Sequence, residues 1–271
     1  MSAVNIPPAD AGRFVRDVPY VPTDEQVALA MLRFAHVGPH DVVYDLGCGD
    51  GRIVLTAVRQ FGARGVGVEV DPQRLRECEE NLRHLPPEDR KFARFVQASF
   101  FDIDLTDATV VTLYLLPKIN VKLRPKLLWE LLPGTRIIGH TFSMDDWQPD
   151  ETLETHGRTL YKWIVPAWVQ GGWKCVVDGD AEHGGRRHMT LELERHFQRL
   201  TGKARIGGRT VPLGDGRILG HEVRFHVPDP IVNAGIDFVG RLEGKFLRGT
   251  WTLPGHATGP WGGVRLPARG D

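Results

Sequence analysis

Val43-Tyr44-Asp45-Leu46-Gly47-Cys48-Gly49-Asp50-Gly51-Arg52 is the segment of this chain whose residue types and spacing point most directly to chemistry. A run of β-formers ends in a Gly-x-Gly-x-Gly turn, and helix-forming residues follow at once. Glycines let a backbone turn sharply and bring its amides close to a ligand, with no Cβ in the way. Glu69 stands twenty residues beyond Gly49, at the end of the next strand-like run, where a carboxylate can accept both hydroxyls of a ribose. A dinucleotide fingerprint requires a third glycine at the position that Arg52 occupies. Asp45, two positions before Gly47, would repel a pyrophosphate but suits a ligand that carries an ammonium group. S-adenosylmethionine (SAM) has an amino-acid end, a ribose and no phosphate. It fits this set of groups, and a dinucleotide does not.

The elements that must position these groups alternate between strand and helix. Thr23-Asp24-Glu25-Gln26 signals a helix start, with Thr23 as N-cap and Gln26 at the capping-box position. Asp41–Leu46 and Gly65–Val70 are strands, each followed by a helix, over Arg52–Phe61 and over Gln73–Leu85 behind Pro72. Phe92–Ala98, Ala108–Leu115 and Thr135–Thr141 are further strands, with a helix over Leu123–Leu132 between the last two. Thr159–Val165 fits a final antiparallel edge strand. This alternation predicts a doubly wound, Rossmann-like α/β domain over residues 1–167.

Beyond Pro166 the texture changes to short alternating runs punctuated by glycine, such as Thr190–Glu194 and Glu222–Val227. A loose echo (LTGKARI, LGHEVRF, FVGRLEG, LRGTWTL) sets a glycine beside apolar residues, as curved antiparallel strands require. Gly207-Gly208 and Gly214-Asp215-Gly216 read as turns. Residues 168–271 are therefore expected to form a small antiparallel β module, either a meander or a partial barrel. Trp163, Trp168 and Trp173 flank the junction and suit docking of that module onto the first domain.

Composition narrows the class. Lys+Arg and Asp+Glu both total 34 in 271 residues, so no net field draws the chain to nucleic acid or an anionic membrane. Cys48, Cys78 and Cys175 form no CxxC pair, which argues against a disulfide framework or a zinc cluster. The grouping of Asp180, Glu182, His183 and His188 fits no specific metal site, so no metal is expected. The first residues, MSAVNIPPADAG, have no secretory pattern. The longest apolar run, Ala108–Pro117, is far short of the ~20 residues of a membrane span. A cytoplasmic protein without a membrane span is the expectation.

VYDLGCGDG followed by GVGVEVD resembles the first two motifs of class I SAM-dependent methyltransferases. PYVPT, DLGCGDGRIV, FGARGVGVEVDP, DATVVTLYLLP and LRPKLL are similar, in that order between Pro19 and Asp150, to a narrower group. That group is the protein-lysine methyltransferases acting on the ATP synthase c-subunit and the adenine nucleotide translocase. The resemblance implies that Asp45, Gly47, Cys48 and Gly49 form the methionine-end loop and that Glu69 holds the ribose. It also implies contacts from Tyr20 and Thr23 to the SAM carboxylate, although both equally fit a strand lead-in and a helix cap. Where such enzymes offer an acidic residue to the adenine, this chain has Gln97-Ala98-Ser99-Phe100. Ser99 can bond the adenine amine and Phe100 can stack on the ring. The β module is a second departure, because those enzymes lack it.

Methyl transfer from a sulfonium needs orientation of the acceptor more than a strong acid–base pair. The acceptor is expected at the end of the fourth strand, where the chain reads Tyr114-Leu115-Leu116-Pro117. Tyr114 can hold an amine through its hydroxyl or by cation–π contact, or can simply pack the strand end. His140 fits either a base near the pocket or a buried structural histidine. The acceptor is thus an amine, on a protein lysine or on a small molecule selected by the β module, which can also mediate a homo-oligomer. A non-catalytic SAM-binding scaffold or sensor is the alternative of another class.

Overall fold

The computed structural model describes residues 21–179, 185–228, 235–253, 255 and 257–267. In chain order it begins with α1 (Glu25–Phe34), β1 (Val42–Leu46), α2 (Arg52–Phe61), β2 (Arg64–Glu69), α3 (Pro72–Leu82), α4 (Pro87–Arg90) and β3 (Ala93–Gln97). There follow β4 (Val110–Leu113), α5 (Pro117–Glu130), β5 (Arg136–His140), β6 (Glu151–Thr155) and β7 (Arg158–Ile164). These seven strands form one sheet in the order β3-β2-β1-β4-β5-β7-β6. β1 to β5 are mutually parallel, and β7 runs antiparallel between β5 and β6. This is the doubly wound, Rossmann-like sheet expected from the alternation of elements. All five residues of β1 and all four of β4 are buried, as the centre of a sheet covered on both faces demands. One face packs on α5 through Leu123 and Leu127, and the other on α1 and α2 through Met31, Leu32, Ile53 and Ala57.

Three local expectations are corrected. Asp24, not Thr23, caps α1, its carboxylate accepting from the Gln26 N–H, and Thr23 is released for another contact. α5 starts at Pro117, six residues earlier than its apolar pattern shows, because proline is suited to the first helical turn. β7 is an interior strand, and the edge is β6, whose sequence ETLET is exposed along most of its length and so carries no alternation.

The remaining strands are β8 (Gly171–Val177), β9 (Arg187–His196), β10 (Arg199–Ile206), β11 (Arg209–Pro212) and β12 (Gly214–Leu219). β13 (Glu222–Val227), β14 (Ile236–Glu243), β15 (Phe246–Leu253) and β16 (Ala257–Arg265) complete the chain's regular structure. They pair in the order β11-β10-β12-β13-β14-β15-β16-β8-β9, and β9 also pairs with β10. The meander therefore closes on itself as an antiparallel barrel, with β11 a hairpin extension of β10. Closure removes the unpaired sheet edges that a partial barrel would expose. Inward residues including Trp173, Leu191, Phe225, Phe238, Trp251 and Trp261 fill it as a core. Gly207 and Gly208, both at positive φ, make the two-residue turn between β10 and β11. The second expected turn, Gly214–Gly216, is instead a bulged stretch of β12.

The barrel is docked against the first sheet. The Phe197 ring stacks on Trp147 at 5.5 Å between centroids, Gln198 Nε2 donates to the Gln148 carbonyl at 2.6 Å, and Arg217 pairs with Asp150 at 2.8 Å. The flanking tryptophans have other places: Trp163 lies in the first core, Trp173 inside the barrel, and Trp168 is 54% exposed beneath Arg195.

Candidate active site

The site is built at the carboxyl edge of the parallel strands, where the order of strands reverses between β1 and β4. Gly47, Gly49 and Gly51 have φ of 81°, 55° and 80°, so the loop between β1 and α2 needs glycine at all three. Its amides are largely consumed internally. Gly47 and Cys48 N–H both donate to the Val68 carbonyl, at 2.8 and 3.1 Å, and Gly51 N–H donates to Cys48 O at 2.9 Å. Gly49 N–H donates to Glu69 Oε2 at 3.0 Å. Few donors remain for a phosphate, whereas the acceptors needed by an ammonium and a ribose are concentrated here.

Asp45 is buried, and its Oδ1 accepts from the Thr112 hydroxyl at 2.7 Å. Burial, reinforced by the charges of Glu69 and Asp50 and opposed by the Thr112 bond, pushes the Asp45 carboxyl up to about 7. A cation brought beside it would restore the ionised form. The Glu69 carboxylate is held by three backbone amides, those of Gly49, Val70 and Asp71. Four lone-pair positions on a carboxylate leave it able to accept further. The Cys48 thiol turns away under the loop, 4.0 Å from Cys78 Sγ, and Cys78 donates to the Gly49 carbonyl at 3.0 Å. Cys48 therefore reaches the cofactor side only through its backbone.

Asp45, Gly47, Cys48, Gly49 and Glu69 are thus brought together. Ser99 and Phe100 follow β3 next to them, with Ala98 N–H donating to Glu69 O at 3.2 Å. Ser99 Oγ accepts from Phe101 N–H, and Phe100 packs on the core beside Phe101, which is 42% exposed. Tyr20 lies outside the described residues. The buried Thr23 hydroxyl shares a 3.4 Å hydrogen bond with His140 Nδ1. The Thr23 carbonyl accepts from Arg52, which in turn pairs with Asp50 of the loop at 2.5 Å.

On the other side of Thr23 is an aromatic wall. The Tyr114 ring stacks on His140 at 3.9 Å and on Phe142 at 6.1 Å. Burial, with the Arg158 charge nearby, pushes His140 down to about 4, so the imidazole is neutral at physiological pH. Asn120 of α5 donates both amide hydrogens, to the carbonyls of Phe142 and Ser143. His140 Nε2, Thr141 Oγ1 and Asn120 Oδ1 are buried without a protein partner among the described residues. Thr112, Asn120 and Phe142 were not singled out by sequence. A threonine inside the apolar run VVTLYLL and an asparagine one turn into a helix are the signals they left. Asp180, Glu182 and His183 lie outside the described residues, and among the described residues no three metal-ligating side chains cluster.

Comparison with known proteins agrees with this geometry. Residues 45–151 match the family model of the ANTKMT methyltransferase domain. A protein-lysine N-methyltransferase of Saccharolobus islandicus is 43% identical over 157 residues, spanning 56% of this chain and 96% of that protein. The ATP synthase c-subunit lysine N-methyltransferase of Xenopus laevis is 33% identical over 176 residues, 59% of this chain and 73% of that enzyme. Among solved structures, an RNA methyltransferase from Salinibacter ruber with bound S-adenosyl-L-homocysteine is 46% identical. It superposes with a TM-score of 0.53 over 55% of this chain and 96% of its own. The cofactor is SAM, and the chain is an enzyme that belongs to the SAM-dependent methyltransferases, in the family of these protein-lysine N-methyltransferases.

Proposed function

We propose that the acceptor is the side-chain amine of a protein lysine, bound against the Tyr114–His140–Phe142 wall. The observation that carries this reading is the wall itself, uncharged and aromatic at the carboxyl ends of β4 and β5. Aromatic faces attract an amine in its cationic form, and so can seat a lysine side chain as it arrives. The relatives named as protein-lysine methyltransferases support the same class of acceptor.

The lysine ammonium first releases a proton to solvent; bound SAM would then supply an electrophilic methyl group to the freed nitrogen lone pair, the carbon–sulfur bond breaking to leave S-adenosylhomocysteine and a methylated ammonium. Asp45 with the loop Gly47, Cys48 and Gly49 would hold the methionine end, Glu69 the ribose, and Ser99 with Phe100 the adenine. Tyr114 is the residue that orients the acceptor nitrogen. A neutral His140 adds no positive charge that would repel a cationic substrate. The proposal includes a division of labour, with residues 1–167 transferring the methyl group and residues 168–271 as the barrel module. It also includes a cytoplasmic setting and no nucleic-acid partner. No described helix is long and apolar enough to cross a membrane.

The test is transfer of labelled methyl from SAM into fractionated extract, with the product located by mass spectrometry. Label on lysine side chains of protein is expected. Label confined to RNA or to small metabolites would overturn the lysine reading.

A further inference from the structure

β5 is not followed by a crossover helix. Residues 141–150 instead run from the aromatic wall to β6 as an irregular segment whose only β-bridge among the described residues is Met144–Trp147. Two of its residues, Thr141 and Asp145, have positive φ, 66° and 58°, and a β-branched residue is rarely found there. Such a segment keeps one shape only if its surroundings over-determine it.

Its start is held by Asn120, and its middle by Arg124 of α5, which donates to the Met144 carbonyl at 3.0 Å and pairs with Asp146. β7 holds both ends, Thr141 N–H donating to the Thr159 carbonyl and Asp150 N–H to the Lys162 carbonyl, and Trp163 Nε1 donates to the Trp147 carbonyl at 2.8 Å; the barrel adds a further hold. Phe197, at the turn between β9 and β10, is itself at φ 52°, an uncommon conformation for an aromatic residue. This conformation accompanies a sandwich in which the Phe197 ring lies flat on Trp147, with an interplanar angle of 13°, and under the Arg124 guanidinium at 4.9 Å. Gln198, the buried second residue of the same turn, reaches the Gln148 carbonyl. Arg217 of β12 fixes Asp150, whose second oxygen accepts from Ile164 N–H at 2.8 Å. The barrel thus grips the far end of the segment whose near end contributes Phe142 to the proposed acceptor wall.

We propose that the barrel is a positioning device for methyl transfer, and that Phe197 and Gln198 are positioning residues that act on the acceptor wall through residues 141–150. The inference rests on the acceptor site proposed above. It predicts that loosening the grip changes handling of the acceptor and leaves the cofactor site, built on β1 to β3, as it was.

Phe197→Gly in the full chain tests this cleanly, because glycine accepts the positive φ while removing the ring. Expected are an unchanged SAM affinity within about twofold, a fall of about tenfold or more in kcat/KM for the protein acceptor, and recovery in Phe197→Tyr, which keeps the stack. Faster hydrogen exchange over residues 141–150, with S-adenosylhomocysteine bound, should accompany the loss. Wild-type kcat/KM and exchange in both Phe197→Gly and Gln198→Ala would overturn the proposal. The exchange measurement needs no acceptor: if the wild type methylates no amine, the lysine reading falls, and unchanged exchange is what counts against the grip. A variant too unstable to assay is replaced by Gln198→Glu, which sets a carboxylate against the Gln148 carbonyl without emptying the stack.

Discussion

At the scale of single residues, the site separates cofactor chemistry from acceptor chemistry. Asp45 carries the sharper consequence. Between its ordinary 3.8 and about 7, the folded protein holds a proton on Asp45 that the unfolded chain has released. Without cofactor this group therefore lowers stability as the pH rises through that window. With the cofactor's ammonium beside Asp45, as proposed, the ionised carboxylate would be favoured, so binding would expel the proton and weaken as the pH falls below about 7. The thermal shift produced by SAM should be larger near pH ~7.5 than near pH ~5.5. In Asp45→Asn that pH difference should vanish and affinity should drop by about one to two decades, the worth of a charge-assisted hydrogen bond of ~1.5–3 kcal/mol. Equal SAM affinity in both proteins, by calorimetry, would contradict the placement of the ammonium. If Tyr114 orients the acceptor as proposed, Tyr114→Phe should slow methyl transfer while leaving SAM affinity intact. A parallel loss of both would make Tyr114 a packing residue.

At the scale of elements, the barrel strands depend on glycines that let neighbouring backbones approach. A Cβ at Gly202 would sit 2.0 Å from the Glu192 carbonyl oxygen, and φ there is 148°. At Gly249 it would sit 1.9 Å from the Val239 carbonyl oxygen. The obstacles are backbone atoms, which cannot rotate away as a side-chain tip can. Gly202→Ala and Gly249→Ala should each destabilise the barrel by about 2–4 kcal/mol, through a displaced ladder and, at Gly202, a disfavoured conformation as well. Chemical denaturation should show the loss. Gly208→Ala, at a turn with open space around it, should cost less, about 1 kcal/mol from its positive φ of 80° alone. A wild-type midpoint for Gly202→Ala would mean that the strands can part locally at no cost.

At the scale of the whole molecule, two cores meet along one seam. The first lies under the parallel sheet and reaches Trp147 and Val165, and the second fills the barrel. Phe197, a barrel residue, packs on the first core, so the seam is part of it and not a loose linker. The Ala167 N–H donates to the Gly220 carbonyl at 2.8 Å, and Arg195 donates to the Pro166 carbonyl at 3.0 Å. A chain truncated after Pro166 should still bind SAM, because Asp45, the glycine loop and Glu69 all precede the seam. It should lose most turnover of the protein acceptor and aggregate more readily, with the Trp147 face uncovered. Full turnover from a well-behaved truncated chain would show that the barrel is an independent appendage.

The sequence by itself determined the parts whose signals are local. Asp45, Gly47, Gly49 and Glu69 stand at fixed offsets because one strand, one turn and one helix place them, and the strand ends that carry them follow from alternation. The tertiary structure alone decided which distant residues share a wall. Thr23 is 117 positions from His140, and Asn120 is 22 from Phe142, so neither pairing leaves a periodic trace. Barrel closure was equally hidden, since the pairing of β16 with β8 depends on the accumulated curvature of every strand between. Trp147 and Phe197 meet for the same reason. A loop and a hairpin turn carry no period of their own, and only the docking of two finished cores brings their rings face to face.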